Sequence, residues 1–377
     1  MESYDVVVVG AGLAGLHTAR LLAECGHEVL LVERRSRLTE GIRTTGIFVR
    51  RTLDDFPLAP HCLGPPIHRV VLYPPGLRRP VILDSPREEF RVGDMPALYS
   101  EAARLAMAAG VRIRLGVRFL SLAGANVVAL DGAGGPVMVG ARFVVGADGA
   151  RSRVARELGL DRNQLFLTGA EEVFAPVAAS GTPGFHCVLD PSLAPGYLAW
   201  VVNDGHSVHV GVAGYADRFP NGLRHALKRF AARAPGLPSG HLAAAVEWRG
   251  GPIPVGGVLR RIASPGGLLV GDAAGAVSPL TAGGLDPCLR LSELAASVLD
   301  DSLRCGRPDA LVHYDGAALR ARFRGRLFMR RALAAIRTPQ VASAAFTLLR
   351  TPVGRVLATR ILFGDGSFPN TVSSRRR

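Results

Sequence analysis

Tyr4 to Glu33, YDVVVVGAGLAGLHTARLLAECGHEVLLVE, is the stretch of this 377-residue chain that decides the fold. The run up to Val9 is short, β-branched and almost wholly apolar, which predicts a strand buried on both faces of a parallel sheet. A glycine turn, GAGLAG, follows, and then an apolar-periodic helix and a second strand that stops at Glu33. Strand, glycine turn, helix, strand and acid in this register are the fingerprint of a dinucleotide-binding fold.

The three glycines of the turn have different predicted roles. Gly10 permits the tight turn, Gly12 lets a pyrophosphate approach the backbone, and Gly15 lets helix and strand pack closely. The N–H groups at the helix start, around Leu13 and Ala14, then face the phosphates. A glycine-rich structural turn without a ligand is the alternative.

Glu33 lies about 20 residues beyond the glycines, as the fingerprint requires, and can accept both hydrogen bonds of an adenosine ribose. The two residues after it, Arg34 and Arg35, can instead hold the phosphate of NADP. This stretch alone therefore leaves FAD and NAD(P) both open.

Length and cysteine usage favour a cytoplasmic globular protein. A chain of this length forms two domains or one large one. No uncharged apolar run of about 18 residues is present, so we expect no spanning helix, and the first strand begins too early to leave room for a signal peptide. The five scattered cysteines contain no CxxC pair, so we expect neither a disulfide framework nor a metal site.

The net charge of +14 is concentrated at the C-terminal end. From Arg304 onward, 15 arginines face three aspartates, a balance of +12. Such a region suits an anionic membrane surface or an acidic substrate, and a solvated helical cap is the alternative. Nucleic acid is disfavoured, because no recognised nucleic-acid-binding pattern accompanies the arginines.

Two later motifs also follow apolar strands: GADGARS at 146–152 and GDAAG at 271–275. Either alone can be a strand-to-helix turn capped by Asp. In this order, the three motifs resemble the flavoprotein family that includes p-hydroxybenzoate hydroxylase and the geranylgeranyl reductases. The resemblance covers residues 4 to about 300 and implies that the dinucleotide is FAD.

The resemblance also implies roles for single residues. Asp148 and Gly149 match a motif near the pyrophosphate, and Asp272 matches the acid that hydrogen-bonds the ribityl chain. Arg91 matches an arginine that contacts FAD, with a surface arginine at a strand end as the alternative. The full predicted FAD-binding set is Gly10, Gly12, Leu13, Ala14, Gly15, Glu33, Arg34, Arg43, Thr45, Arg91, Asp148, Gly149, Gly271, Asp272, Pro279, Gly283, Gly284 and Leu285.

The stretch after GDAAG, AVSPLTAGGLD at 276–286, is similar to the geranylgeranyl reductase pattern GDAAG-x-x-x-P-x-T-G-x-G-I. Glycines at a helix start present N–H groups and a positive dipole end to the N1/O2 edge of a flavin. One departure is Ala282 where the pattern has its first glycine after threonine, which predicts an altered turn that keeps its N–H groups.

Three side chains are catalytic candidates: Thr45, Tyr197 and Trp200. Thr45 stands where many of these reductases have the cysteine of a Cys-Gly pair, so a cysteine role does not transfer. Tyr197 and Trp200 resemble a Gly-Tyr-x-Trp segment with one residue inserted, which places them on opposite faces of an ideal strand. They either line an apolar channel or belong to a sheet core. We expect no His-based triad among the ten histidines.

The predicted fold is α/β. An FAD-binding, Rossmann-like domain of the p-hydroxybenzoate hydroxylase type comprises 1–65, 93–165 and 260–303. An antiparallel β-sheet substrate domain, 66–92 and 166–259, is interleaved with it, and a basic helical C-terminal region spans 304–377. Residues 34–60 are predicted to form a polar loop, and short strands at 112–115, 117–122, 127–130, 137–139 and 143–145 a small β-meander. Pro339 and Pro352 are predicted to break the C-terminal helices.

The resemblance implies an FAD-dependent oxidoreductase that reduces C=C bonds of an isoprenoid chain, with a small apolar, prenyl-containing substrate. The main alternative is a monooxygenase that hydroxylates an aromatic or polyketide-type substrate; a flavin-dependent cyclase and a flavin-bearing binding protein are further alternatives. Only one nucleotide fingerprint is present, so NAD(P)H or a reduced protein carrier is expected to bind transiently. The basic helices suggest peripheral contact with an anionic membrane.

Overall fold

The computed structural model describes residues 1–124, 126–175, 183–237, 244–306 and 308–363. The first strand lies inside an eight-stranded sheet, where its valines are buried. The sheet order is β16-β17-β10-β1-β2-β7, and β9 extends it as an antiparallel partner of β10, with β8 paired antiparallel to β9. Its strands are β1 (Ser3–Val9), β2 (Val29–Glu33), β7 (Arg112–Leu115), β8 (Arg118–Leu122), β9 (Val127–Gly132), β10 (Gly135–Gly146), β16 (Ala263–Ser264) and β17 (Gly267–Leu269).

Parallel pairing aligns the carboxyl ends of three of these strands. Val9 of β1 pairs with Gly146 of β10, and Gly146 pairs with Leu269 of β17. The three glycine-acid motifs therefore begin side by side at one edge of the sheet, where ligands bind in such folds. Five α-helices belong to this part of the described chain: α1 (Leu13–Glu24), α2 (Arg50–Asp55), α3 (Met95–Ala108), α4 (Arg153–Glu157) and α6 (Leu285–Cys305).

The second sheet has seven strands in the order β15-β11-β14-β13-β12-β4-β5. Its strands are β4 (Arg69–Tyr73), β5 (Val81–Asp84), β11 (Phe166–Phe174), β12 (Gly184–Val188), β13 (Ala199–Asn203), β14 (Val208–Gly214) and β15 (Glu247–Pro254). The helix α5 (Gly222–Ala231) covers one face, where Leu227 and Phe230 pack against Val210 and Val212. Neighbouring pairs are antiparallel except β12 with β4.

Four helices follow α6: α7 (Gly316–Ala321), α8 (Arg324–Ala335), α9 (Pro339–Leu349) and α10 (Pro352–Phe363). Pro339 and Pro352 break the helical region as the sequence predicts, and each becomes the first residue of a new helix, a position that needs no backbone N–H donor. Phe346 and Phe363 are buried in a cluster with β4 and β5. Residues 364–377 of the predicted basic region lie outside the described residues.

The predicted fold class is confirmed, with three local corrections. The polar loop predicted for 34–60 contains β3 (Ile47–Val49) and α2 (Arg50–Asp55), because β3 finds a partner in the distant β6 (Phe90–Val92). The two strands predicted at 137–139 and 143–145 are one strand, β10, which changes partner from β9 to β1 along its length. The strand β7 was predicted within the meander and instead pairs with β2.

Candidate cofactor and active site

The glycine turn after β1 is shaped by two close contacts and one open position. A Cβ on Gly10, whose φ is +107°, would overlap the carbonyl group of Ala147, and one on Gly15 would overlap the carbonyl of Gly10. A Cβ on Gly12 would meet nothing within 4 Å. The outer glycines are therefore required by packing, whereas Gly12 leaves the backbone at the start of α1 accessible to a phosphate.

Glu33 lies buried at the end of β2, beside this turn. Its Oε2 accepts a hydrogen bond of 2.9 Å from the Ala11 N–H, and its Oε1 accepts one of 3.0 Å from the Arg35 N–H. Burial opposes ionisation, but these bonds and the Arg35 guanidinium outweigh it and lower the pKa of Glu33. The carboxylate is ionised and keeps acceptor capacity for a ribose, which stays a prediction.

The two arginines after Glu33 separate in the structure. Arg34 is exposed to solvent, whereas Arg35 folds back onto Glu33 and the Ala11 carbonyl. The phosphate of an NADP bound at the end of β2 would face the ionised Glu33 and Arg35, which is already paired with Glu33. The environment disfavours the NADP alternative and fits an unphosphorylated adenosine ribose.

Asp148 performs the capping role that the sequence offered as its alternative. Its Oδ2 accepts bonds of 2.7 Å from the Arg153 N–H and 3.1 Å from the Val154 N–H, at the start of α4. Its buried Oδ1 has no hydrogen-bond partner among the described residues. Gly149 follows with φ +85° and open space where a Cβ would stand. An orphaned acceptor beside an open backbone fits a bound group that carries donors.

Asp272 lies in a short 3-10 turn, Gly271–Ala274, after β17. Asn163 donates a 2.8 Å bond to its main-chain carbonyl. No hydrogen bond to its side-chain carboxylate is found within the described part of the chain. Burial accordingly raises the pKa of Asp272 to about 6. The hydroxyl groups of a ribityl chain would supply the missing donors, so the residues present fit FAD at this position.

The loop between this turn and α6 is held by its own backbone. The Ser278 N–H donates to the Gly283 carbonyl and the Ala282 N–H to the Ser278 carbonyl, both at 2.9 Å. The helix α6 begins at Leu285 with Gly284 as N-cap and no side-chain cap, which leaves its first N–H groups available to an anionic edge. Ala282 has φ +54°, the left-handed conformation that favours the glycine of the reductase pattern.

Tyr197 and Trp200 share one apolar cluster with Ala282 of this loop. The strand β13 begins only at Ala199, so Tyr197 lies before it and strand alternation does not separate the two rings. The Tyr197 hydroxyl donates to the Thr281 carbonyl, which ties the second sheet to the cofactor loop. The opposite-face arrangement was predicted for an ideal strand without a bulge, and it does not apply to this pair because Tyr197 lies outside the strand.

Thr45 and Trp200 converge on a residue that the sequence analysis did not single out. The Thr45 hydroxyl and the Trp200 Nε1, the latter at 2.9 Å, both donate to Oε2 of Glu171. Glu171 is only 3% exposed, and His209 bonds its other oxygen at 3.1 Å. An acid in an apolar strand is a usable signal, but its partners are 126, 29 and 38 residues away along the chain.

Comparison with known proteins agrees with this geometry. Residues 3–56 match a family described as an FAD binding domain. Over 320 residues the chain is 31% identical to the digeranylgeranylglycerophospholipid reductase of Methanothrix thermoacetophila, which covers 80% of this chain and 79% of that protein. The chain belongs to this reductase family. It is an FAD-dependent oxidoreductase.

Two solved structures share the fold of this family member. A geranylgeranyl bacteriochlorophyll reductase-like protein from Thermoplasma acidophilum superposes with a TM-score of 0.84 at 23% identity, over 97% of this chain and 98% of that one. A probable FAD-dependent monooxygenase from Pseudomonas aeruginosa has a TM-score of 0.68 at 22% identity, over 92% and 100%. At these identities the likeness concerns the fold alone.

Arginines of α8 also reach the cofactor loop of this reductase-family chain. Arg326 donates to the Ser278 hydroxyl at 3.0 Å, and the fully buried Arg330 donates to the Gly196 carbonyl and lies 5.5 Å over the Tyr197 ring. Burial lowers the pKa of both guanidinium groups. These contacts cannot be predicted from the sequence, because an arginine-rich helix does not reveal which of its faces is buried.

Three further residues of the predicted FAD-binding set contact other parts of the protein. Arg91 is bound to Glu88, with a 2.9 Å bond from its NH2 group, and Arg43 is exposed with its stem against Gly251. Pro279 lies in the cofactor loop and packs near Gly257. FAD contacts from these residues stay predictions.

Proposed function

We propose that this protein reduces C=C bonds of an isoprenoid chain of the geranylgeranyl type. One observation carries the proposal: the chain is 31% identical, over 80% of its length, to a reductase named for a digeranylgeranylglycerophospholipid. When bound and reduced, FAD supplies a hydride. The reaction also consumes a proton, which the protein must deliver.

The chain's own groups hold the cofactor and tune its reactive end. The backbone around Gly12 meets the pyrophosphate, Glu33 the adenosine ribose and Asp272 the ribityl chain. The free N–H groups and positive dipole end of α6 stabilise negative charge at the flavin edge. Because this field exists before the reaction starts, no reorganisation is needed when charge develops.

The substrate chain is proposed to lie against the face of the second sheet that meets the cofactor loop. The partly exposed Trp200 and Ala282 pack there on the buried Leu167, Tyr197 and Val255, which makes an apolar wall suited to a prenyl chain. Since the sequence carries a single nucleotide fingerprint, the electron donor is NAD(P)H or a reduced protein carrier that binds only transiently.

The helices α8 to α10 are proposed to rest on an anionic membrane surface. Between 324 and 363 the sequence has eight arginines and no acidic residue, and all of these arginines except the inward-facing Arg326 and Arg330 are available to such a surface. Large apolar side chains stand exposed among them: Phe328, Leu348, Val353, Val356 and Leu357. Val353, Val356 and Leu357 share one face of α10, which suits a helix lying in the lipid interface. Within the described residues, no helix combines the length and apolarity needed to cross a bilayer.

Anaerobic turnover tests the reaction. The holoenzyme, reduced with dithionite, is mixed with a geranylgeranyl glycerophospholipid, and products are analysed by mass spectrometry. We expect two added hydrogens per reduced double bond without oxygen. Turnover that requires air and adds one oxygen atom would overturn the proposal in favour of the monooxygenase alternative.

Vesicle binding tests the membrane surface separately. The protein is sedimented with phosphatidylglycerol vesicles and with phosphatidylcholine vesicles. We expect binding to the anionic vesicles only, weakened by salt and by a Val353→Asp/Leu357→Asp double variant. Glu172→Asp, a change in the second sheet that leaves α10 intact, is the matched control. Equal binding to both vesicle types, or none, contradicts this part of the proposal.

A further inference from the structure

The second sheet carries a row of polar residues on the face opposite α5. Cross-strand pairing aligns Arg249 with Glu171, Glu171 with Gly211, and Gly211 with Trp200. A Cβ on Gly211 would overlap the Trp200 ring, so the missing side chain makes room for the indole that reaches Glu171. His209 stands two residues before Gly211 and therefore points to the same face.

These side chains form a continuous hydrogen-bonded path. His209 donates from Nδ1 to Glu171 Oε1 and from Nε2 to Asp204 Oδ2, both at 3.1 Å. At one end, the Thr45 hydroxyl bonds Glu171 Oε2. At the other, Asp204 begins the β13–β14 hairpin and accepts bonds from the N–H groups of His206 and Ser207.

The two ends of the path reach different places. Thr45 is only partly buried and shares Glu171 Oε2 with Trp200, which lies in one cluster with Ala282 of the cofactor loop. Gly205 and His206, next to Asp204, are exposed to solvent. The path thus joins bulk water to the seam between the cofactor loop and the substrate-facing sheet, through two side chains that are each 3% exposed.

We infer that Asp204, His209 and Glu171 form a proton relay that supplies the Thr45 hydroxyl with the proton consumed in double-bond reduction. The inference rests on the proposed function. Thr45 is the catalytic residue in this scheme, since its hydroxyl alone meets the substrate. Glu171, His209 and Asp204 act through it.

The step balances with groups already named. The π bond breaks and two C–H bonds form, one from the hydride that the reduced cofactor supplies and one from the proton of Thr45 Oγ. As the Thr45 O–H bond breaks, the ionised Glu171 takes the proton that His209 holds on Nδ1 and passes it to Thr45 Oγ. The neutral His209 is then reprotonated from bulk water through Asp204.

The charges around His209 keep its imidazole protonated, so that the relay holds a proton to deliver. Burial alone would lower the pKa of His209, but Asp204 and Glu171 outweigh it and raise the pKa to about 9, so the imidazole is protonated at neutral pH. Burial likewise opposes ionisation of Glu171, but bonds from His209, Thr45 and Trp200 lower its pKa. Arg249, whose NH1 lies 3.8 Å from Glu171 Oε1, and Glu247, which pairs with Arg249, complete the charged groups facing the path.

Single-turnover kinetics of the reduced holoenzyme test the relay. Thr45→Val is expected to slow substrate reduction by about 100-fold, as expected for loss of a positioned proton donor, and Thr45→Ser to restore most of the rate. Glu171→Gln is expected to remove the solvent deuterium isotope effect that is specific to proton delivery. Glu172→Gln, on the same strand and the opposite face, is the matched control and should leave the rate unchanged.

Two readouts do not depend on substrate. The His209 imidazole, followed by NMR against pH, should titrate near 9 in the wild type and lower in Glu171→Gln. The FAD content and the rate of cofactor reduction should be unchanged in Thr45→Val, which keeps the test valid if the Glu171 variant fails to fold.

The outcomes distinguish a failure of the proposed function from a failure of the proton relay. If the wild type reduces no double bond although its flavin is reduced, the proposed function fails. If the wild type reduces double bonds and Thr45→Val stays within about threefold of it with an unchanged isotope effect, the relay is wrong and the cluster only stabilises the sheet.

Discussion

Asp272, partly exposed beside the cofactor loop, and Glu171, buried in the second sheet, are two carboxylates whose surroundings differ in their hydrogen-bond donors. Asp272 has no hydrogen bond to its carboxylate from the described residues, and burial raises its pKa to about 6. Glu171 is more deeply buried, yet Thr45, Trp200 and His209 bond it and its pKa is lowered. Burial therefore does not set the charge of an acid by itself; the partners decide.

The difference also separates two kinds of site. A buried acid whose partners are all provided by the protein belongs to the fold and to any path built into it. A buried acid that lacks them is stabilised once a ligand brings donors. On this view the Asp272 carboxylate gains hydrogen-bond donors only when the cofactor binds, whereas Glu171 has its donors before any ligand binds.

Removing the central partner of Glu171 should have the largest effect. In His209→Ala, two buried carboxylates lose their shared cation, so we expect the apoprotein to be destabilised by about 3–5 kcal/mol. Urea unfolding followed by circular dichroism measures this. A loss below about 1 kcal/mol would mean that Arg249 or water already satisfies Glu171, and the comparison with Asp272 would fail.

The pH dependence of stability should carry the signature of the same histidine. The folded pKa of about 9 lies above the ordinary 6.5, so the stabilisation is complete below pH 6.5 and is lost as the pH rises through 9. The loss amounts to about 3 kcal/mol at most. Unfolding free energies measured between pH 6 and 10 should show this decline, and His209→Gln should flatten it.

Asp272→Asn removes the charge of the carboxylate that has no donor among the described residues and leaves Glu171 unchanged. Because its pKa is raised, the contribution of Asp272 to apoprotein stability is largest below pH 3.8 and is lost as the pH rises through about 6, and the amide removes this contribution to the pH dependence. FAD binding should weaken by about 10- to 100-fold, since bonds to a charged acceptor are lost. Flavin fluorescence titration and thermal unfolding measure the two effects. Unchanged affinity would show that Asp272 does not meet the cofactor.

The smallest expected effect concerns the loop that carries the cofactor end of α6. Ala282→Gly places the residue of the reductase pattern at φ +54° and removes strain, for a net gain of about 0.5 kcal/mol after the entropy cost of glycine. Stability and FAD affinity should both stay within that range. A large change in affinity would show that loop shape, rather than the Asp272 charge, controls cofactor binding.

The cofactor half of the site was predictable because its requirements are local. Gly10 and Gly15 are needed by contacts within one turn, and each acid follows its strand directly. The polar half was only partly predictable: Thr45 and Trp200 were candidates, but Glu171 and His209 were not. A charged residue inside an apolar strand such as VHVGVAG at 208–214 is a visible anomaly, yet its partner lies on another strand.

By itself the sequence determined the nucleotide-binding unit, the FAD-dependent chemistry and the family pattern around 271–286, since glycine turns and strand-end acids depend on neighbours in the chain. Only the tertiary structure decided which buried acids are paired. Strand register, which depends on long-range pairing, brought Glu171 to Trp200 and His209. Tertiary packing also turned Arg326 and Arg330 inward, because the buried face of a helix is set by what packs against it.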